Sequence, residues 1–143
     1  NAINQLLQST VWGELDFLIV DLPPGTSDGP LTVMQTLDLD GFVIVTAPQE
    51  LAMIDAKRSI NMIKTLKVDV LGVVENFSGE IFGTGAGEEI CNELELPFLG
   101  KLSLNSDYRD ESKPTVLTSD IVRDEYKAVV SLLEIELEKK PTS

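Results

Sequence analysis

Short, wholly apolar runs alternate along this chain with stretches in which apolar residues recur every three or four positions. That alternation predicts strands separated by helices. Ile3, Leu6 and Leu7 have helical spacing, with Gly13 as a stop. Phe17, Leu18, Ile19 and Val20 follow as an apolar run without polar alternation, the pattern of a strand buried on both faces, closed by Asp21. Pro23, Pro24 and Gly25 then give a stiff loop with one permissive joint at the glycine. Ser27 or Asp28 caps a second helix that tolerates Pro30 in its first turn and turns Leu31, Met34 and Leu37 inward.

GFVIVT, from Gly41 to Thr46, reads as the second strand, and the interval before it leaves room for one crossover helix, which favours a parallel unit. A long helix is expected from Glu50 to Leu66, with Ala52, Ala56, Ile60 and Ile63 on its inner face and Lys57, Lys64 and Lys67 in solvent. Val70 to Glu75 is the third strand, ending at Asn76, and the glycine-rich stretch from Ser78 to Gly87 is a loop. A short helix from Glu88 to Leu96 and a fourth strand from Phe98 to Leu102 complete the alternation. The segment from Asn105 to Ser119 is polar and irregular. Asp120 then caps a terminal helix carrying Val122, Tyr126, Val129, Leu133 and Leu137, with Lys139 and Lys140 suited to its negative pole. Four strands alternating with helices imply an α/β three-layer sandwich with a mainly parallel sheet.

Composition narrows the function classes. The 143 residues fit a single domain, and a hydrophobic share of 43% fits a folded globular one. A net charge of −13 repels phosphate backbones and anionic lipid, so neither nucleic acid nor membrane is an expected partner. No signal peptide or membrane-length apolar run is visible, and a single cysteine excludes an internal disulfide. The expected location is the cytoplasm. Histidine is absent, which removes any imidazole base or ligand.

The run FLIVDLPPGTSDG, residues 17–29, resembles the Walker B and switch II segment of the Mrp family of P-loop ATPases. These are relatives of MinD linked to iron–sulfur cluster carriage. The resemblance implies ATP and Mg²⁺ as cofactors, with Asp21 helping to hold magnesium and the loop ending at Gly25 sensing the γ-phosphate. VTAPQELAMIDAKRSINMI, residues 45–63, looks like the strand and helix that follow that loop. VLGVVENFS, residues 70–78, resembles the strand whose terminal asparagine bonds adenine, which makes Asn76 the candidate for base recognition. An amide suits that task, offering a donor and an acceptor to the N6 and N7 edge. LPFLGKLSL, residues 96–104, resembles the family loop on the other side of the base, so Pro97, Leu102, Ser103 and Leu104 are candidate pocket lining. Ser103 stands where the family commonly has proline. Gln49 and Asp55, just beyond the second strand, are further candidates for contact with nucleotide or a partner subunit, and Asp28 for orienting water.

Two family features are missing here. Nothing matches GxxxxGK followed by Ser or Thr; the nearest segment, GTGAG at 83–87, has no lysine to neutralise phosphates. The chain therefore reads as a carboxyl-terminal portion, P-loop NTPase-like but incomplete at its N-terminal side. Many members also carry a Cys-x-x-Cys pair between the asparagine strand and the glycine-rich loop, and NFSGEIFGTGAG contains no cysteine. Cys91 reads as a buried structural thiol. The resemblance thus supports a nucleotide switch more than an iron–sulfur cluster, and implies a homodimer with iron–sulfur acceptor proteins as partners. The alternatives are a MinD- or ParA-like positioning ATPase, and a non-catalytic interaction module that has lost its P-loop.

Overall fold

A computed structural model describes residues 2–22 and 28–140. The residues group into two compact units, 1–40 and 41–143.

In the first unit, α1 (Ala2–Ser9) and α2 (Asp28–Thr36) form as their apolar spacing predicts. Gly13 adopts φ 71 after α1, a left-handed turn that a residue with a Cβ enters at a cost. Trp12 donates its indole N–H to the Leu7 carbonyl, closing the end of the helix. In α2 the residue fully turned inward is Val33, with Leu31, Met34 and Leu37 half-buried around it.

The strand expected at Phe17 to Val20 is not formed: these residues are irregular, and Phe17 and Ile19 are 60% and 88% exposed. Composition marks a segment fit for a buried strand. A strand exists only when a neighbouring ladder takes its N–H and C=O groups, and no local pattern supplies that neighbour.

The second unit is built on a three-stranded parallel sheet in the order β1 (Phe42–Thr46), β2 (Val70–Ser78), β3 (Phe98–Ser103). Helix α3 (Glu50–Thr65) connects the first pair and α4 (Ala86–Leu94) the second, and α6 (Asp120–Glu138) follows β3 after the short α5 (Thr115–Thr118). Ala56, Ile60 and Ile63 are the buried stripe of α3. Val129 and Leu133 of α6 pack on Val74, Leu99 and Leu102. One residue further along β2, Glu75 lies against Gly87 of α4. Successive strand residues face opposite ways, so α4 and α6 cover opposite faces and the unit has three layers.

Several end groups differ from expectation. Ser119, not Asp120, caps α6: its hydroxyl accepts the Val122 N–H at 3.4 Å, while the Asp120 carboxylate pairs with Arg123. Two of the lysines expected in solvent tie α3 to α4, Lys57 to the Glu93 carboxylate and Lys64 to the Leu94 carbonyl. The latter places a cation at the negative pole of α4.

Candidate functional site

In open parallel sheets, ligands bind beyond the carboxyl ends of the strands. That edge of the second unit is made by the turn after β1, the end of β2, the glycine-rich segment 79–87 and the end of β3.

Asn76 lies within β2, which runs two residues past its expected end. Pairing between β2 and β3 is irregular from Glu75 to Ser78: Glu75 faces Lys101, and register resumes with Ser78 opposite Ser103. Phe77 in that gap takes φ 59, an unusual conformation for an aromatic residue, and its N–H donates to Asn76 Oδ1 at 2.9 Å. The irregularity therefore swings the chain at Asn76 and fixes its amide oxygen on the main chain, as bulges near functional sites commonly do. Beyond it, the Ser78 carbonyl accepts the Leu104 N–H at 3.1 Å, and the Ser78 hydroxyl donates to Thr84 Oγ1 at 2.9 Å.

The other candidates divide. Ser103 and Leu104 sit beside the end of β2 through the pairing just described, and the Ser103 N–H donates to Glu125 Oε2 of α6 at 3.1 Å. A proline at this position would have no such N–H. Leu102 turns its side chain into the core. Pro97 stands apart from these: it precedes the six-residue β3, where its carbonyl accepts from the Val73 N–H and the Cys91 thiol. At about 3.3 Å per residue it lies ~20 Å from Leu104, too far to line the same pocket. Gln49 is the exposed residue before α3 and makes no side-chain cap bond, and Asp55 pairs with Arg58 on the exposed side of α3.

In the first unit, Asp21 is exposed. Gly25 and its two prolines lie outside the described residues, as does Ser27.

Sequence reasoning missed Glu75. This glutamate is fully buried, and its carboxylate accepts the Gly85 N–H at 2.9 and 3.2 Å and the Gly87 N–H at 2.9 Å. Burial pulls its pKa upward, but bonds from Gly87, Ser78, Gly85 and Thr84 together outweigh burial and hold it below the usual glutamate value. The segment GTGAG does act as an anion cradle at a helix start, and the anion is the chain's own. The available signal was a lone acid closing the apolar run VLGVVE, since a buried charge needs partners and amides supply them.

Cys91 is buried, with its thiol bonded to Pro97; burial above all, with Glu88 adding, pushes its pKa up to about 11 against a lowering backbone bond at Val73. Such a thiol does not readily become the thiolate that a metal binds.

Comparison with known proteins decides the family. Residues 1–134 match the model of the family described as ParA, NUBPL iron-transfer P-loop NTPase. The chain belongs to this family. Among curated members of similar sequence, the iron-sulfur cluster carrier protein of Methanocaldococcus jannaschii is 41% identical across 97% of this chain and 53% of its own length. The carrier protein of Escherichia coli K12 is 41% identical across 82% of this chain and 35% of its own. The chain thus spans about half, or less, of the relatives it matches. Among solved structures, a nucleotide-binding protein from Archaeoglobus fulgidus in complex with ADP superposes with a TM-score of 0.63 at 30% identity, over 98% of this chain and 56% of that one. The cell division ATPase MinD of Pyrococcus furiosus superposes at 0.69 with 23% identity over 96% and 57%, a likeness of fold. This member of the ParA/NUBPL family therefore has the α/β, parallel-sheet architecture of the MinD-type P-loop NTPases.

Proposed function

We propose that this chain is the carboxyl-terminal, switch-bearing part of an ATPase domain that binds ATP and hydrolyses it to ADP and phosphate in iron–sulfur cluster assembly or carriage. The observation that carries the reading is the juxtaposition of Asn76 with Ser103 and Leu104 at the carboxyl edge of the sheet, in a chain 30% identical to a protein solved with ADP. In this reading Asn76 takes the base and the main chain of residues 102–104 closes over its other side. Asp21 would hold Mg²⁺ through water, and the ion would neutralise phosphate charge. Gly25 would give the switch loop its joint. Catalysis of this kind rests on positioning and electrostatics, so a chain without histidine is competent for it. The domain would work as a cytoplasmic homodimer that meets iron–sulfur acceptor proteins.

An iron–sulfur cluster enters as cargo. Clusters are held by thiolates, and the one cysteine of this chain is the buried, high-pKa Cys91, so these residues do not fit a cluster site by themselves.

The test is magnesium-dependent ATP turnover by the full-length encoded protein. Turnover is expected, and Asp21→Ala is expected to lower it by about 100-fold or more, the loss typical of removing one stabilising group from a charged transition state. An Asp21→Ala protein that turns over ATP at the parent rate refutes the proposal.

A further inference from the structure

Glu75 precedes the candidate base-recognition residue directly and is the one acid among the described residues with no exposed surface. Its carboxylate holds Gly85 and Gly87, at the start of α4, against β2. On the far side of Asn76 and Phe77, Ser78 is held as firmly, by the Thr84 hydroxyl, the Leu104 N–H and its pairing with Ser103. The irregular pair Asn76–Phe77 is thus pinned at both ends, and both pins reach the same segment, 84–87. Phe77 at φ 59 is costly for a side chain with a Cβ and persists only where its surroundings enforce it. Gly87 has no alternative residue in this arrangement: a Cβ there would stand 2.8 Å from the Phe98 ring and 3.1 Å from Glu75 Cβ.

We propose that Glu75 is a positioning residue for base selection: its bonds to Gly85 and Gly87 hold the bend at Asn76–Phe77, and that bend aims the Asn76 amide at the base. The inference rests on the nucleotide-binding reading above and adds what sets its preference for adenine over guanine. Glu75 touches no ligand. It acts through the backbone of β2, so its loss relaxes the aim of the amide and spares the contacts to phosphate.

The experiment measures binding of ATP, GTP and inorganic tripolyphosphate, with magnesium, to the full-length protein by calorimetry. Glu75→Gln keeps the side-chain shape but turns an amide N–H₂ toward a backbone donor. It should lower the ATP-over-GTP preference by about 10-fold, within the range one paired base edge supplies, and leave tripolyphosphate affinity within about 2-fold. Ser78→Ala removes the Thr84 contact of the second pin and a hydroxyl partner of Glu75 without removing a buried charge, and should lower the preference by about 3-fold on the same scale. Leu133→Ala, which hollows the core under α6, is the control for mere destabilisation and should leave the preference unchanged. In native-state hydrogen exchange, the Gly85 and Gly87 amides should lose protection in Glu75→Gln ahead of the core of β2. An unchanged preference in both Glu75→Gln and Ser78→Ala overturns the inference, as does an equal fall in Leu133→Ala. Asn76→Ala separates the two layers of the argument. If it leaves the preference untouched, the base-recognition reading itself falls, and the role of Glu75 with it.

Discussion

Truncating Glu75 to alanine removes the acceptor of two backbone N–H groups at the start of α4 and empties a fully buried site. Each stranded buried donor costs about 1–3 kcal/mol. Two such donors make about 2–6 kcal/mol before the cavity adds to it, a large fraction of the 5–15 kcal/mol that holds an ordinary domain folded. Glutamine keeps the volume and one acceptor but gives up charge-assisted bonds, roughly twice as strong as neutral ones, and should cost about 1–3 kcal/mol. The two variants are therefore ordered, alanine worse than glutamine, in urea unfolding followed by far-ultraviolet circular dichroism at pH 7. Acid provides the second readout. The folded carboxyl has a pKa below its ordinary 4.5, so its contribution is fully present above that value and is lost as pH falls through the folded pKa. Glutamine has no proton to gain there. The stability gap between the parent and Glu75→Gln should accordingly narrow below about pH 4.5, with the parent losing ground relative to the variant. A gap that is absent at pH 7, or that keeps its size down to pH 3, would refute the account of Glu75 as a buried anion held by α4.

Two further outcomes follow from the same region. Because the Cys91 pKa is about 11, only about a thousandth of the thiol is ionised at pH 8, and it is buried besides. Ellman's reagent should modify it slowly in the native protein and at once in urea; rapid native labelling would contradict its placement. Gly87→Ala decides between two opposed effects. Helix propensity alone favours alanine by about 1 kcal/mol, whereas a Cβ at 2.8 Å from the Phe98 ring forces overpacking worth about 1–3 kcal/mol. The melting temperature should fall, and a rise would mean that the contact at Phe98 is looser than the structure has it.

Periodicity read the second unit well because its signals are local. The apolar stripe of α3 at Ala56, Ile60 and Ile63, and that of α6 at Val122, Val129 and Leu133, follow from spacing alone. The apolar runs of β1, β2 and β3 mark strands whichever neighbour each one finds, although one face of β1, at Val43 and Val45, is exposed. Four things were not legible, each for a reason of distance along the chain. Phe17 to Val20 has strand composition, yet pairing depends on a remote partner. Helix α4 starts at Ala86, two residues early, because a carboxylate eleven positions upstream holds its first turn. Pro97 belongs to a stretch that resembles the base loop, but the length of β3 carries it to the opposite end of the strand. The candidate site was legible as residue types at Asn76, Ser103 and Leu104. What brings them together, the slip in register between Glu75 and Ser78, was not.

The satisfied cradle also bears on how a nucleotide's charge is met. A glycine-rich turn opening a helix ordinarily invites phosphate, because free amides and the dipole both favour an anion. Here the Gly85 and Gly87 amides are spent on Glu75, and the first turn of α4 adds Glu88 and Glu89. Three carboxylates at one helix start repel a triphosphate instead of drawing it in. In the second unit, then, the edge proposed to take the base at Asn76 lacks, at its glycine-rich segment, the chemistry to hold phosphate. On the proposed reading, base selection and phosphate binding fall to different residues, which is why the loss of Glu75 should move base preference while tripolyphosphate affinity stays where it was.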